Sequence, residues 1–590
     1  MAGKEMRIRA RTPLILILLL FVLIEVRLFD LQIVHHQEFA EQARKEQIKV
    51  IQTLPERGTI YDRNLEKLAV NIPSYSLYAR PERISDPQKV AQELSAILDM
   101  KNSELLRKLQ REKVFVWLKR KLSPAQRKKI ESLRISGIGF IEESKRFYPQ
   151  RKLASHILGF VGIDNQGLAG VEFSYNRELE GKRGRFWVKK DALGYEIPFT
   201  RRIIQPLIPG SDLVLTIDAI IQSIVEEEIS TALSQTKAKS VEALFMDPRT
   251  GEILALANKP DYDPNYYLKY PPSARKNRII QSIYEPGSTF KPITASALLE
   301  KGLIDPKDRI YCDGYIQIAD HIIHDWKEFN QEMSFAEIIQ NSSDVGMIKA
   351  ARRMKEREFY HYIRLFGFGN KTGIDLPGEE RGIVRPSSSW FGSDFASISI
   401  GQGIAVTPLQ MVTALCALIN GGSLLRPYVV KYIRSPEGQI IKENKPQVIR
   451  KVISASTSHK IRKMLEKVVE EGTGTKAKVE GYSIGGKTGT AQIPAPDGSG
   501  YLEDEHIASF MGFAPVGSPQ IAGIVIIKEP TGVYWGGEIA APVFGRIIKR
   551  VMAYLNVSPE KEWSIAKTKI NCPPSPSESK QIDLGGSSIN

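Results

Sequence analysis

Gly481-Tyr-Ser-Ile-Gly-Gly-Lys-Thr-Gly-Thr490 reads in two ways, and the choice between them decides the fold. Its first eight residues satisfy G-x-x-x-x-G-K-[ST], the phosphate-cradling loop of nucleotide-binding α/β proteins. That loop must open directly into a helix, whose N-terminal N–H groups face the phosphates. Here Gly489-Thr-Ala-Gln-Ile-Pro494 follows, a strand running into a loop. The segment therefore reads as a strand edge whose glycines, Gly489 among them, admit a ligand close to the backbone. Lys487, Thr488 and Thr490 then offer a cation and two hydroxyls to a carboxylate.

Around this strand the pattern alternates between sheet and helix. Leu213–Ile217, Val241–Met246, Ile253–Ala257 and Ile521–Ile527 read as strands, the middle two joined by the turn Asp247-Pro-Arg-Thr-Gly-Glu252. Asp218 caps a helix whose apolar stripe is Ile221, Ile224, Val225 and Ile229. Thr407-Pro408 opens a second helix, Leu409 to Ile419, closed by Gly421-Gly422, and Pro542 to Leu555 forms a terminal one. Strands at both ends with helices between them predict an α/β (α+β) domain over 211–556, with an antiparallel sheet between helices.

Upstream, Ile208-Pro-Gly-Ser-Asp212 is a turn marking a domain boundary. Residues 35–210 mix short strands (Ile48–Thr53, Tyr75–Ala79, Val114–Leu118) with charged helical stretches, one capped by Asp86 with Pro87 in its first turn. Residues 1–12 carry Lys4, Arg7, Arg9 and Arg11, and Pro13 to Ile24 runs without a charge. The apolar pattern continues to Val34, close to the roughly 20 residues of a membrane span. No small-x-small cleavage site follows, so 13–34 is expected to be an uncleaved signal-anchor. The preceding basic residues keep the N-terminus cytoplasmic. Glu25, Arg27 and Asp30 then sit near the outer interface or face a partner helix. Residues 557–590 are polar and predict a flexible tail.

The chain has 590 residues, with 82 Lys+Arg against 67 Asp+Glu, a formal net charge of +15. That suits an anionic partner, and placement outside the cytoplasm turns the expectation from nucleic acid to membrane surface, cell-wall polymer or protein. The same placement removes the nucleotide supply that a phosphate loop at Gly481 would require. The densest basic run, Lys119-Arg120-Lys121 with Arg127-Lys128-Lys129, reads as a solvated helix face. Three cysteines (Cys312, Cys416, Cys572) without CxxC or Cys/His ligand spacing exclude a disulfide framework and a structural zinc site. No metal or cofactor is expected.

Two further constellations carry chemistry. In Glu285-Pro-Gly-Ser-Thr-Phe-Lys291, a Pro-Gly turn delivers Ser288 to a helix start, with Lys291 on the same face. A serine becomes a nucleophile when a base takes its proton, and a lysine can be that base if burial or a second cation keeps it neutral. Ser234-Gln-Thr-Lys237 shares the spacing and reads as a polar helix end. Asn341-Ser-Ser-Asp344, between helical patterns, by itself reads as a cap or turn.

Taken in order, Ser288-x-x-Lys291, Ser342-x-Asp344 and Lys487-Thr488-Gly489 resemble the S-x-x-K, S-x-N and K-T-G motifs of the penicillin-binding protein and serine β-lactamase superfamily. Arg57-Gly-Thr-Ile-Tyr-Asp-Arg63, and Gly167-Leu-Ala-Gly-Val-Glu172 with Tyr175, Leu179 and Gly181, are similar to pedestal motifs of class B penicillin-binding proteins. Gly401-Gln-Gly403, Tyr534-Trp-Gly-Gly and Ala541-Pro-Val-Phe-Gly545 resemble the division-specific type. The resemblance implies a peptidoglycan D,D-transpeptidase on the inner membrane, acting in septal wall synthesis and acylated by β-lactams. Ser288 would attack the penultimate D-alanine of a stem peptide, Lys291 would be the base, and Ser342 would relay a proton. The Ser288 and Thr490 amides would form the oxyanion hole, while Lys487, Thr488 and Thr490 would hold the terminal carboxylate. An amine of a neighbouring stem would take the acyl group. No sign of a glycosyltransferase domain precedes residue 210, so the glycan, derived from a lipid-linked precursor, would come from a SEDS-type glycosyltransferase. That enzyme and other division proteins would meet the anchor and pedestal, with Arg57–Arg63 either a partner contact or a local brace.

One residue departs from the pattern. Asp344 stands where the family has Asn; it accepts but does not donate hydrogen bonds when ionised, and it would pair with Lys291 or Lys487. An elongation-type transpeptidase shares the motifs and, in some members, this Asp. A β-lactamase lacks an anchor and pedestal, and a β-lactam sensor or scaffold would show little turnover.

Overall fold

The computed structural model describes residues 2–53, 55–189, 197–198, 200–319, 321–495 and 500–560. Most of the expected tail 557–590, with Cys572, lies outside the described residues.

The centre is a five-stranded antiparallel sheet in the spatial order Ile253–Lys259, Ser240–Met246, Ile521–Lys528, Tyr501–Ala514, Gly485–Pro494. Alternation along each strand sends side chains to two faces. Val241, Ala243, Phe245, Phe510, Val525 and Ile527 pack with helices Ala219–Thr236 and Gly536–Tyr554. Leu244, Met246, Met511, Phe513, Ile524 and Ile526 belong to the larger core on the other face, with helices Lys291–Glu300 and Pro408–Ile419. The Gly481 segment is a strand from Gly485 onward, as its sequence implied, and no helix follows Lys487-Thr488.

Local signals set several helix starts. The Asp218 carboxylate accepts from the Ile220 and Ile221 amides, and Asp86 from those of Gln88 and Lys89. Thr407 and Gln410 form a reciprocal capping box. The terminal helix corrects one expectation: it begins at Gly536, with Pro542 inside. Its first turn lies on the sheet so closely that a Cβ at Gly536 would stand 2.3 Å from the Gly489 carbonyl oxygen. Tertiary packing places this start, and Pro542 is accommodated within the helix.

The basic run is corrected in its first half only, since Arg127-Lys128-Lys129 lie on helix Pro124–Ser132 with Lys128 and Lys129 exposed, as expected. Lys119–Lys121 lie on strand Val116–Leu122, not on a helix. Arg120 bonds Glu143 and Asp164, and Lys121 pairs with Glu143 at 3.0 Å. These charges largely serve internal ion pairs.

The upstream domain is built on strand Lys67–Ala79, which pairs with Val116–Leu122 and with Ile138–Phe147. Its sheet does not stop at the expected boundary. Ile60-Tyr61 runs parallel to Leu213-Val214, and the Asp212–Leu215 strand pairs in turn with Val430–Arg434 of the downstream domain. Beside this junction, the guanidinium of Arg57 donates to Glu172 Oε2 at 2.6 Å, to the Glu172 carbonyl and to Asn176, and Arg146 donates to Glu172 Oε1 at 2.6 Å. Arg57 and Glu172 are buried, so Arg57 is a brace and not a partner contact. Arg63 reaches Glu252, Asp62 accepts from the Ala219 amide, and Tyr175 donates to Asp375, tying the two domains together.

At the N-terminus a helix spans Ala2–Phe29 and continues as one π-helical turn, Asp30–Val34. Leu14 to Leu23 are exposed, and Arg27 pairs with Asp30 at 2.7 Å. Among the described residues no helix is long and apolar enough to cross a membrane.

Candidate active site

Ser288 sits in a 3-10 turn, Gly287–Phe290, that leads directly into helix Lys291–Glu300. Gly287 adopts φ +52°, and its amide donates to the Gly401 carbonyl at 3.0 Å. Glu285 anchors the same turn, accepting from the Gly403 amide at 3.0 Å and from the Tyr501 hydroxyl at 2.9 Å. The Gly401-Gln-Gly403 motif is thus the seat of the Ser288 turn.

Asn341–Asp344 joins two helices, Phe335–Asn341 and Asp344–Ala351, and is both a cap and part of the site. Ser343 caps the second helix by accepting from the Gly346 amide at 2.9 Å. Ser342, at φ +60°, is the left-handed residue closing the first. Asp325 holds this kink together, accepting from the Ser343 hydroxyl and from the amides of Asp344 and Val345. Burial pushes the Asp325 carboxyl above its ordinary range despite these donors.

Both lysines converge on Ser342. Lys291 Nζ donates to the Ser342 carbonyl at 2.6 Å and to its Oγ at 3.3 Å, and pairs with Asp344 Oδ1 at 2.9 Å. Lys487 Nζ donates to Ser342 Oγ at 2.8 Å and to the Thr488 carbonyl at 3.1 Å. Each lysine is 0 % exposed. Burial holds Lys487 well below the ordinary lysine range; Lys291 pushes it the same way, and Asp344 opposes. Lys487 therefore faces the cleft only through Ser342 and Thr488.

The cleft itself, about 600 Å³, is lined by Ser288, Ser342, Asp344, Thr488 and Thr490, with Trp326 and Trp535 among the residues of its walls. Thr488 bonds Thr473 at 2.7 Å, and Thr490 Oγ1 accepts from the Gly536 amide at 3.1 Å. Gly489 does not open space for a ligand: a Cβ there would stand 2.6 Å from Ser509 Oγ and 2.8 Å from Thr289 Cγ2. The close approach is that of the Ser288 turn to the strand, which brings Ser288 and Thr490 into one cleft. Ser234 only donates back to the Ser230 carbonyl within its helix. Asp325, Trp326 and Thr473 were not legible in the sequence, because their place depends on loops without a spacing rule.

Residues 241–549 match the penicillin-binding protein transpeptidase domain, and residues 52–215 the penicillin-binding protein dimerisation domain. The chain belongs to the penicillin-binding protein family. This penicillin-binding protein is 36% identical over 585 residues to stage V sporulation protein D of Bacillus subtilis, across 96% of this chain and 90% of that one. It is 32% identical to peptidoglycan D,D-transpeptidase FtsI of Escherichia coli, across 92% and 91%. Among solved structures, penicillin binding protein 3 of Mycobacterium tuberculosis, also solved with aztreonam and with ampicillin, superposes with a TM-score of 0.69 at 29% identity, covering 87% of this chain and 98% of that one.

Proposed function

We propose that the protein is a septal peptidoglycan D,D-transpeptidase working through a serine acyl-enzyme. One observation carries this reading: Ser288, Ser342 and Thr490 line one cleft, while two buried lysines both donate to the Ser342 hydroxyl. Ser288 Oγ attacks the penultimate D-alanine carbonyl of a stem peptide, and its proton passes into the Lys291–Ser342–Lys487 cluster, with Lys291 as base when its amine is neutral. The tetrahedral oxyanion is met by the Ser288 and Thr490 amides. Ser342 returns a proton to the departing D-alanine. The acyl carbon then passes to the amine of a neighbouring stem, closing the cross-link and freeing Ser288. Thr488 and Thr490 meet the terminal carboxylate, with Lys487 acting through Thr488 and Ser342.

The same reading divides the chain into a basic tail (1–12), an anchor (13–34), a pedestal (35–210), a transpeptidase domain (211–556) and a tail (557–590). The exposed apolar run Leu14–Leu23 supports an inner-membrane anchor. Glycan would be supplied by a SEDS-type glycosyltransferase beside other division proteins, contacted through anchor and pedestal surfaces other than the buried Arg57. A second reading, elongation-type cross-linking, is favoured by Asp344.

Incubation of the full chain with a fluorescent penicillin, followed by its release, tests the chemistry. A stable adduct on Ser288 is expected; rapid release would indicate a β-lactamase, and no adduct a scaffold.

A further inference from the structure

Helix His36–Gln47 leads directly into strand Ile48–Thr53, the first of a small antiparallel sheet completed by Gly184–Lys189 and Arg202–Gln205. Directly opposed residues share a face, and side chains alternate along each strand. Val50, Trp187 and Arg202 therefore form one row across the sheet, with Arg185 and Lys189 on the same face to either side of Trp187. The Arg202 guanidinium carbon stands 5.5 Å from the centre of the Trp187 ring. Arg185, Lys189, Arg202 and Val50 are exposed, and Trp187 is half-buried. The third strand is exposed at every residue, with Ile203 69 % exposed.

The three strands carry no acidic residue. Glu180, just before the second strand, is taken up by Arg183 at 3.7 Å. Asp191 and Glu196, between the second and third strands in sequence, lie outside the described residues. Among the described residues no carboxylate pairs with Arg185, Lys189 or Arg202.

Cations without carboxylates, set around an indole and aliphatic side chains, match the interface between lipid and water. An indole sits at headgroup level, apolar side chains enter the acyl boundary, and basic residues meet anionic headgroups. A soluble polyanion would meet the charges but leave Trp187 and Val50 without a partner. Position agrees with composition. The expected span ends at residue 34, and the 12 residues of His36–Gln47 form the only helix between it and the sheet. An upright helix of that length holds the sheet about 18 Å above the end of the anchor, and a tilted one sets it down on the lipid.

We propose that this face docks on the anionic phospholipid surface of the membrane that holds the chain. Arg185, Lys189 and Arg202 meet the phosphates, and Trp187 and Val50 enter the headgroup layer. Each basic residue close to such a surface adds about fivefold to the association. Held beside the lipid by the N-terminal helix, the three together fix the orientation of the pedestal on the membrane. Nearness to lipid rests on the reading of residues 13–34 as an anchor; the composition of the face does not.

The test uses the full chain in vesicles of phosphatidylcholine, alone or mixed with phosphatidylglycerol, containing lipid brominated near the headgroup end of its acyl chains. Fluorescence quenching lost in Trp187→Phe is the signal of Trp187. It is expected to be several-fold larger in the mixed vesicles. It should fall to the phosphatidylcholine value when Arg185→Gln, Lys189→Gln and Arg202→Gln are combined, and likewise at high salt, which shortens the reach of the charges. Fluorescent-penicillin labelling of the triple variant should match wild type, which shows that it is folded. Equal quenching in both lipids, or none, overturns the proposal. Retention of the chain through an alkaline carbonate wash reads the anchor separately. Retained chain without Trp187 quenching overturns the sheet contact alone; quenching in chain that washes away keeps the contact and removes the anchor.

Discussion

Lys291 and Asp344 form an ion pair of 2.9 Å in which the lysine is wholly buried and the carboxylate reaches the cleft. A site with two buried lysines thereby acquires one compensating charge, where asparagine would supply none.

Asp344→Asn removes that charge and leaves Lys291 and Lys487 facing each other. Stability should fall by about 1–3 kcal/mol, the range for an unpaired buried group. The more cationic cleft should bind the penicillin carboxylate several-fold more tightly before acylation, a shift of about 1 kcal/mol. Urea unfolding and the concentration dependence of labelling measure the two effects. Weaker penicillin binding would show that Asp344 itself contacts the ligand favourably.

Ser288→Ala should abolish labelling and cross-linking with a stability change within about 0.5 kcal/mol, because Ser288 is half-buried and caps no helix. Gel fluorescence and thermal melting check this; persistent covalent labelling would mean the nucleophile is another residue.

Lys487 links activity to stability through pH. Its folded-state pKa lies well below the 10.5 of a free lysine, mainly because of burial. Between those two values the unfolded chain binds a proton that the folded chain does not, so stability should rise with pH across that window. Lys487→Met should be more stable than wild type near neutral pH, should lose most of that rise toward about pH 9, and should acylate poorly. Parallel urea titrations at the two pH values decide it.

Arg57→Ala should cost about 3–5 kcal/mol, because it leaves a buried carboxylate with one of its two arginines. Burial pushes Glu172 up, but Arg146 and Arg57 together pull it below its ordinary range. A carboxylate so depressed stabilises the fold above its unfolded pKa, and that stabilisation is lost as pH falls through the folded one. The acid-unfolding midpoint of the variant should therefore move to higher pH. An unchanged midpoint would show that Arg146 alone neutralises Glu172.

Legibility followed the range of the interaction. Asp86, Asp218 and Thr407 cap helices through amides two or three residues away, so sequence placed them correctly. The strand around Lys487 was readable because Gly489-Thr-Ala-Gln-Ile-Pro494 does not continue as a helix. Motif residues of the cleft were found by type and order. Asp325 acts on a kink 18 to 20 residues away through a loop, and no local pattern announces it. The start of the last helix was missed because Gly536 is chosen by contact with Gly489, not by its neighbours in sequence. The Lys119–Lys121 run was misread as helix because charge density says nothing of secondary structure when the partners, Glu143 and Asp164, are remote.

The strand ladder running from Lys67–Ala79 through Ile60-Tyr61 and Asp212–Leu215 to Val430–Arg434 makes the pedestal and catalytic domain one beam. A hinge at residue 210 would have to break the backbone pairing of Ile60-Tyr61 with Leu213-Val214. If the N-terminal helix is moored in a membrane, the beam sets the altitude of Ser288 above it like the arm of a gauge. The layer of wall within reach would then be fixed by the length of the pedestal, and a push on its base would reach the cleft as displacement, not as bending.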